Sequence, residues 1–377
     1  MKFGIFYEHS VAKPWSRQSE LRAYHQALEQ IELADELGFD QVWEVEHHFL
    51  EEYSHSSAPE VFLAAAAART KRIRIGQGIS VCLPPMNHPV RIAERAAALD
   101  LISNGRLEFG TGRSATWTEV GAFGIDPDNT KDMWDEVIRA IPKMWTEEEF
   151  EWNGKYFKVP PRNILPKPIQ DPHPPMWVAV ASPETAIQAA ERGIGMLGVS
   201  LGTIGDYRRL VADYRRIIKY CDPVGKFVNN QVNAASWMYC GETEEEAREV
   251  GGGGALQFFS SAAHLVGLGG IYPSHGYTST ANATALLSKE DLIALRDGYP
   301  VGTPDQIIEQ VRHWEAIGVD RIVSMINYDQ VIPHKKVLAS LERFAKYVMP
   351  EFAEGRRTVT VPSDTSKGGP EAPPMPA

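Results

Sequence analysis

The sequence predicts an α/β fold closed into a (β/α)8 barrel, and three observations predict it. Short β-rich runs alternate with longer helical patterns, the signature of a parallel α/β architecture. The β-rich runs number eight, the count of a closed barrel. The 377 residues, 43% hydrophobic and 23% charged, have the composition of a globular enzyme with a large core. Such a barrel runs well past 250 residues as one domain, so length forces no division.

Taken in order, strands are expected at Lys2–Tyr7, Gln41–Val45, Ile73–Ile79, Arg106–Gly110, Met176–Ala181, Gly195–Val199, Gln231–Met238 and Arg321–Ile326. Before the second strand, Leu21, Tyr24, Leu28, Ile31, Ala34 and Leu37 recur at intervals of three and four, which predicts a helix with that face on the barrel. Thr303-Pro304-Asp305-Gln306 combines an N-cap threonine, a proline at the first helical position and a glutamine three residues on. Ser288 with Asp291 marks a similar helix start.

Two segments exceed ordinary barrel loops. Trp152 to Pro175 holds seven prolines and the turn pair Asn153-Gly154, and reads as an irregular insertion between the fourth helix and the fifth strand. Late in the chain, Gly251 to Tyr299 opens with four glycines, continues through Gly267-Leu268-Gly269-Gly270 and reads as a lid or binding loop. A surface excursion without a role is the other reading of that segment. Residues 1–352 are expected to form one barrel domain, and 353–377, rich in Pro, Gly and Ser, a disordered tail.

The balance of 38 basic and 49 acidic residues gives a net charge of −11, which disfavours nucleic acid and anionic lipid as partners. A small molecule is the expected partner. The opening residues lack a signal-peptide pattern and no apolar stretch reaches the roughly 18 residues of a membrane span, so a cytoplasmic protein without membrane association is expected. Cys82, Cys221 and Cys240 lie far apart, and no histidine pair has metal-ligand spacing, so neither a disulfide framework nor a bound metal is expected.

In a barrel of this kind the chemistry sits at the carboxyl ends of the strands. After the second strand come Glu46-His47-His48-Phe49, two imidazoles behind a carboxylate, suited to proton chemistry at neutral pH or to capping the strand end. After the third come Ser80-Val81-Cys82-Leu83-Pro84-Pro85, a constrained turn that can hold a flat ligand or serve structure alone. Gly112-Arg113-Ser114 follow the fourth: the glycine admits close backbone approach, and the guanidinium matches phosphate. Ala181-Ser182-Pro183 follow the fifth, with Ser182 placed as an N-cap at a potential anion site. Arg113 and Ser182, on strands expected to be neighbours, suggest one phosphate pocket.

Several runs in register carry a resemblance. Glu46-His47-His48-Phe49, Leu83-Pro84 through His88-Pro89-Val90-Arg91, Ser103-Asn104-Gly105-Arg106 with Phe109-Gly110, and Ala189-Ala190-Glu191-Arg192-Gly193 are similar in order and interval to the bacterial luciferase α-subunit and its flavin-dependent monooxygenase relatives. Val301-Gly302-Thr303-Pro304 extends the similarity to the end of the barrel.

This resemblance implies a TIM barrel that binds reduced FMN at its C-terminal face and uses dioxygen to oxidise a small organic molecule through a peroxyflavin intermediate. It implies that His47 is the catalytic histidine and that Arg113 and Ser182 hold the FMN phosphate. Glu46, Ser80, Val81, Gly112 and Ala181 complete the implied cofactor site, with a non-proline cis peptide at Ser80-Val81. Gly112 stands where the luciferases carry a reactive cysteine, so oxygenation without light emission is expected. No GxGxxG segment follows a strand, so a separate NAD(P)H:flavin reductase is expected to supply the reduced FMN. A pocket near Tyr7, Phe49 and the late insertion is expected to admit substrate, in a homo-oligomer of two or four copies. A deazaflavin-dependent hydride-transfer enzyme of the same fold and a non-catalytic flavin-binding protein are the alternatives.

Overall fold

The computed structural model describes residues 1–258, 261, 299–353 and 361–362, except 52, 115, 200–203 and 329. The expected strands close into one parallel barrel. They are β1 (Lys2–Tyr7), β2 (Gln41–Glu44), β3 (Arg74–Val81), β4 (Leu107–Gly112), β5 (Met176–Val180), β6 (Gly195–Val199), β7 (Val232–Trp237) and β8 (Arg321–Met325). Each pairs with its neighbour in sequence, and β1 meets β8 at Lys2↔Arg321. β3 and β4 each run two residues further than the sequence pattern suggests, so Ser80, Val81 and Gly112 lie inside the strands and pair as Ser80↔Thr111 and Val81↔Gly112.

The barrel interior is filled by two tryptophans whose bulk is matched by glycines on neighbouring strands. Trp43 and Trp177 are fully buried and meet edge to face, with ring centroids 5.6 Å apart. A Cβ on Gly76 would lie 2.3 Å from the Trp43 ring, and one on Gly195 would lie 2.4 Å from the Trp177 ring. The indole N–H groups are satisfied: Trp43 Nε1 donates to Gln41 Oε1 at 2.7 Å and Trp177 Nε1 to Glu108 Oε2 at 2.6 Å. Gln41 Oε1 also accepts from Asn233 Nδ2 at 2.9 Å, and Arg321 donates to Asn233 Oδ1 at 2.9 Å. This network cross-links distant strands beneath the site.

Around the barrel run α1 (Ser19–Leu37), α2 (Pro59–Arg69), α3 (Pro89–Ile102), the short α4 (Trp117–Ala122), α5 (Thr130–Thr146), α6 (Pro183–Glu191), α7 (Ile204–Ile217), α8 (Pro304–Ala316) and α9 (His334–Tyr347). The capping box at Thr303 is present, with Thr303 N donating to Gln306 Oε1 at 3.0 Å. On α1 the expected face holds at all but one position. Leu28, Ile31 and Ala34 are buried and Tyr24 and Leu37 pack on the core, joined by Ala23 and Ala27, whereas Leu21 is exposed. The alanines let the helix approach the barrel closely and share the contact with Leu28 and Ile31.

The first insertion is more regular than the sequence suggests. Phe150–Asn153 and Lys158–Arg162 pair antiparallel. The turn at Asn153-Gly154 is held by Glu136 of α5, which accepts from Trp152 Nε1 at 3.1 Å and Lys155 N at 3.0 Å. The glycines at 251–254 are helical, not the start of a loop: Ala247–Gly251 form a π-turn and 252–258 continue as helix. A Cβ on Gly251 would lie 2.5 Å from Tyr239 Cβ, and one on Gly254 would lie 2.5 Å from the Trp237 ring. Most of the expected lid, including Ser288 and Asp291, lies outside the described residues. So does the expected tail, apart from residue 353 and residues 361–362, the latter running antiparallel to Phe227–Val228.

The glycines separate into two classes by what surrounds them. Gly110→Ala would put a Cβ 2.0 Å from Gln77 O, and the expected cost is about 3 kcal/mol, the upper range for overpacking. Gly253, with nothing within 4 Å, is helical and exposed. Gly253→Ala should stabilise by up to ~1 kcal/mol through helix propensity. Urea unfolding midpoints of the two variants check the opposite signs.

Candidate active site

At the mouth of the barrel a carboxylate that the sequence reading did not single out organises the candidate histidines. Thr116 N-caps α4, its Oγ1 accepting from Glu119 N at 3.3 Å, so the fully buried Glu119 side chain lies beside the end of β2. Glu119 Oε1 lies 2.9 Å from His47 Nδ1 and accepts from His48 N at 3.0 Å. Glu119 Oε2 accepts from Ser114 Oγ at 2.7 Å and Thr116 Oγ1 at 2.8 Å.

His47 Nε2 faces a second carboxylate, Glu8 Oε2, at 3.7 Å. Glu8 follows β1 and is buried; Tyr53 donates to its Oε1 at 3.3 Å, while Oε2 has no hydrogen-bond partner. Burial alone would lower the His47 pKa, but Glu119, followed by Glu8 and Glu46, outweighs it and holds the imidazole at about 9. Burial pushes Glu8 up to about 7 against the pull of His47 and Tyr53. Burial also acts to raise Glu119, but His47, Ser114 and the His48 amide hold it below the usual carboxylate range. At neutral pH the half-buried His47 is therefore an imidazolium with Nδ1–H committed to Glu119.

The expected cofactor residues fall into two groups. Glu46, Ser80, Val81 and Gly112 come together: Glu46 Oε2 accepts from Val81 N at 2.7 Å and Oε1 from Asn87 Nδ2 at 2.6 Å, clamping the end of β3. Arg113 and Ser182 stand past the ends of the adjacent strands β4 and β5, which pair at Thr111↔Val178. Arg113 donates to Thr130 Oγ1 at 3.3 Å, and Ser182 caps α6, its Oγ accepting from Thr185 N at 3.3 Å. Ala181 is exposed on the same edge.

Two details depart from expectation. The non-proline cis bond joins Gly78 and Ile79, not Ser80 and Val81. It lies within the irregular stretch of the β3–β4 ladder between Gln77 and Ser80, beyond which regular pairing resumes at Ser80 and Val81. Among the described residues Tyr7 and Phe49 point apart: Tyr7 OH donates to Gln30 Oε1 on α1 at 3.0 Å, whereas Phe49 is 59% exposed beside Phe123, and the late insertion expected to join them lies outside the described residues. Gly112 also cannot carry a side chain without movement, because a Cβ there would lie 2.7 Å from Ile79 Cδ1. The nearby Cys82 is buried, and burial pushes its thiol up, so it is no reactive substitute.

Glu8, Tyr53 and Glu119 were missed. Thr116-x-x-Glu119 has capping-box spacing and would have marked Glu119, although its carboxylate turns to His47 instead of reaching back to the cap amide. Glu8 directly follows β1, where the strand-end rule applies as it does to His47.

These ionisations tie stability to pH. A His47 pKa raised from 6.5 to about 9 on folding stabilises fully below pH 6.5 and is lost as pH rises through 9. At about 1.4 kcal/mol per unit this is on the order of 3 kcal/mol. Glu8, raised from 4.5 to about 7, adds a decline of the same sign at lower pH. Urea unfolding from pH 6.5 to 9.5 should show stability falling in the native protein and a much flatter profile in Glu119→Gln, where the raised His47 pKa is lost.

Comparison with known proteins places this geometry. Residues 1–321 match the family model described as luciferase-like monooxygenase. The oxygenase component of flavin-dependent trigonelline monooxygenase from Acinetobacter baylyi is 28% identical, over 94% of this chain and 97% of its own. The crystal structure of monooxygenase RslO1 from Streptomyces bottropensis is 29% identical with a TM-score of 0.77, over 93% of this chain and all of that one. Two structures below 25% identity share the fold. They are the oxygenating constituent of 3,6-diketocamphane monooxygenase from Pseudomonas putida in complex with FMN (20%, TM-score 0.75, 93% and 98% covered) and an F420-dependent secondary alcohol dehydrogenase (19%, TM-score 0.69, 93% and 98% covered). Among the described residues no helix is long and apolar enough to cross a membrane. With its closed barrel, its strand-end histidines and a family match over most of its length, the chain belongs to the luciferase-like monooxygenase family.

Proposed function

We propose that the protein is the oxygenase component of a two-component system, taking reduced FMN from a separate NAD(P)H:flavin reductase and oxidising a small organic substrate with dioxygen. The observation that carries this reading is the pairing of His47 with the buried Glu119 at the barrel mouth, 2.9 Å apart. It keeps a cationic N–H donor where oxygen chemistry needs one at neutral pH. The trigonelline relative, an oxygenase component by name, supports the division of labour with a reductase.

The residues present fit FMN. Arg113 supplies a guanidinium, and Ser182 and Thr185 supply hydroxyls at the head of the nine-residue α6, a donor set suited to a phosphate. The first-turn carboxylate of Glu184 is drawn to Lys131 Nζ at 2.8 Å, which offsets its charge beside such an anion. On the barrel side, the Glu46–Val81 clamp fixes the end of β3, where Gly112 pairs with Val81.

When bound, reduced FMN would supply two electrons to dioxygen, one oxygen atom passing to substrate and the other leaving as water. The chain's own residues hold and move protons. His47 offers the Nε2 proton to developing negative charge, while Glu119 keeps the ring oriented and charged through Nδ1. Tyr53, packed on His47 at 5.7 Å and on Tyr328 at 5.8 Å, makes an aromatic wall that excludes water.

Two measurements check this reading. Arg113→Ala should weaken FMN binding by about 2 kcal/mol, roughly thirtyfold, in a fluorescence titration; unchanged affinity removes Arg113 from the phosphate site. Photoreduced FMN mixed with aerated buffer in the absence of substrate should release hydrogen peroxide slowly on the native protein and much faster on His47→Ala, which should bind FMN equally; equal rates remove His47 from this role. Tight F420 binding with no FMN binding would instead favour hydride transfer.

A further inference from the structure

Behind β1, between α1 and the loop after β8, lies a cavity of about 30 Å³ whose wall includes Glu8. That volume holds about two water molecules and no organic substrate. Its lining is mainly polar and uncharged, with Gln30 buried at the α1 side and Gln26, Asn327 and Gln330 half-buried towards solvent. Glu8 lines this cavity, while its carboxylate faces Tyr53 and His47, with a buried oxygen, Oε2, that has no hydrogen-bond partner and lies 3.7 Å from His47 Nε2. The gap is about 0.5 Å longer than an ordinary N–H···O bond, a distance that a side-chain rotation closes.

We propose that Glu8 is the proton exchanger for His47, returning a proton to Nε2 after each turnover and recovering one from bulk water through the cavity behind β1. The inference rests on the reading of His47 as proton donor. In the step, the Glu8 O–H bond breaks as the Nε2–H bond forms, and the carboxylate electron pair stays on oxygen. Glu8 then takes a proton from cavity water, which is replaced from solvent, so no oxidant or reductant enters.

The surroundings suit this role. Tyr53 and His47 face the carboxyl from the loop after β2, while Glu44 on β2 and Glu119 on α4 act on it at longer range and both favour its protonated form. On the helix side the buried His9 has its ring stacked on Tyr24 at 4.2 Å and its Nε2 3.1 Å from Glu44 Oε1, without hydrogen-bond geometry. The phenols of Tyr7 and Tyr328 complete the cavity wall. With a pKa of about 7, Glu8 exchanges protons readily at neutral pH.

The test uses full-length, flavin-free protein labelled with ¹⁵N-histidine, so its outcome does not depend on whether FMN binds. In the native protein the His47 resonances should titrate in two steps, near 7 through Glu8 and near 9 through the imidazole itself. Glu8→Gln should remove the lower step and slow exchange of the Nε2 proton with water roughly tenfold or more. Glu8→Asp should keep the lower step and restore faster exchange, which a purely structural role does not predict. The paired change Gln26→Leu with Gln330→Leu, at the solvent side of the cavity, should slow exchange while leaving both steps in place. An unchanged exchange rate and titration in a folded Glu8→Gln protein overturns the proposal, and an unchanged rate in the paired variant overturns the cavity route. Failure of FMN to bind would instead overturn the flavin reading alone.

Discussion

The buried carboxylate of Glu119 is the contact on which the mouth of the barrel depends. A buried anion is tolerated only when its oxygens are satisfied, and Glu119 meets this with two partners on each oxygen, drawn from the ends of β2 and β4 and the cap of α4. The same four contacts fix the His47 ring, keep it charged and fold the short α4 over the strand ends. Structure and chemistry are inseparable here: removing one partner of a buried pair costs about 3–5 kcal/mol and would release the imidazole as well.

That arrangement needs a rigid base, which the barrel floor supplies. Trp43 and Trp177 occupy the space that glycines at 76, 78, 110 and 195 leave open, so a register slip in any of these strands would drive an indole into backbone. Below them the Gln41–Asn233–Arg321 network ties β2, β7 and β8 together, and Arg321 is anchored to Asp40 at 2.6 Å. Charge gathers above this floor, where carboxylates from the β1 and β2 ends and from α4 surround one imidazole. The aromatic wall keeps the dielectric low, and each charge there acts more strongly than it would in water.

Much of this was legible in the sequence because it follows local periodicity. All eight strands, the Thr303 capping box and the Ser182 cap rest on short-range patterns, and the structure has them within two residues of expectation at the strand ends. The reading failed where tertiary context overrode a local signal. Leu21 has the spacing of a core residue yet is exposed, while Ala23 and Ala27, outside the expected set, join Leu28 and Ile31 in the contact. The proline-rich insertion hides a hairpin because Glu136, distant in sequence, holds its turn. Gly251 and Gly254 read as loop but serve helix packing against Tyr239 and Trp237. In the site, His47 was visible as a strand-end histidine, whereas the two carboxylates that set its charge come from elements 39 and 72 residues away. No sequence window contains all three.

The most direct test of the account is neutron diffraction from deuterated crystals of the FMN complex at pH 7.5, where hydrogen positions and cofactor are seen together. The account predicts the FMN phosphate between Arg113 and Ser182, deuterium on both ring nitrogens of His47, and Nδ1 bonded to Glu119. A His47 ring carrying deuterium on only one nitrogen, or an FMN phosphate bound away from Arg113 and Ser182, would contradict it.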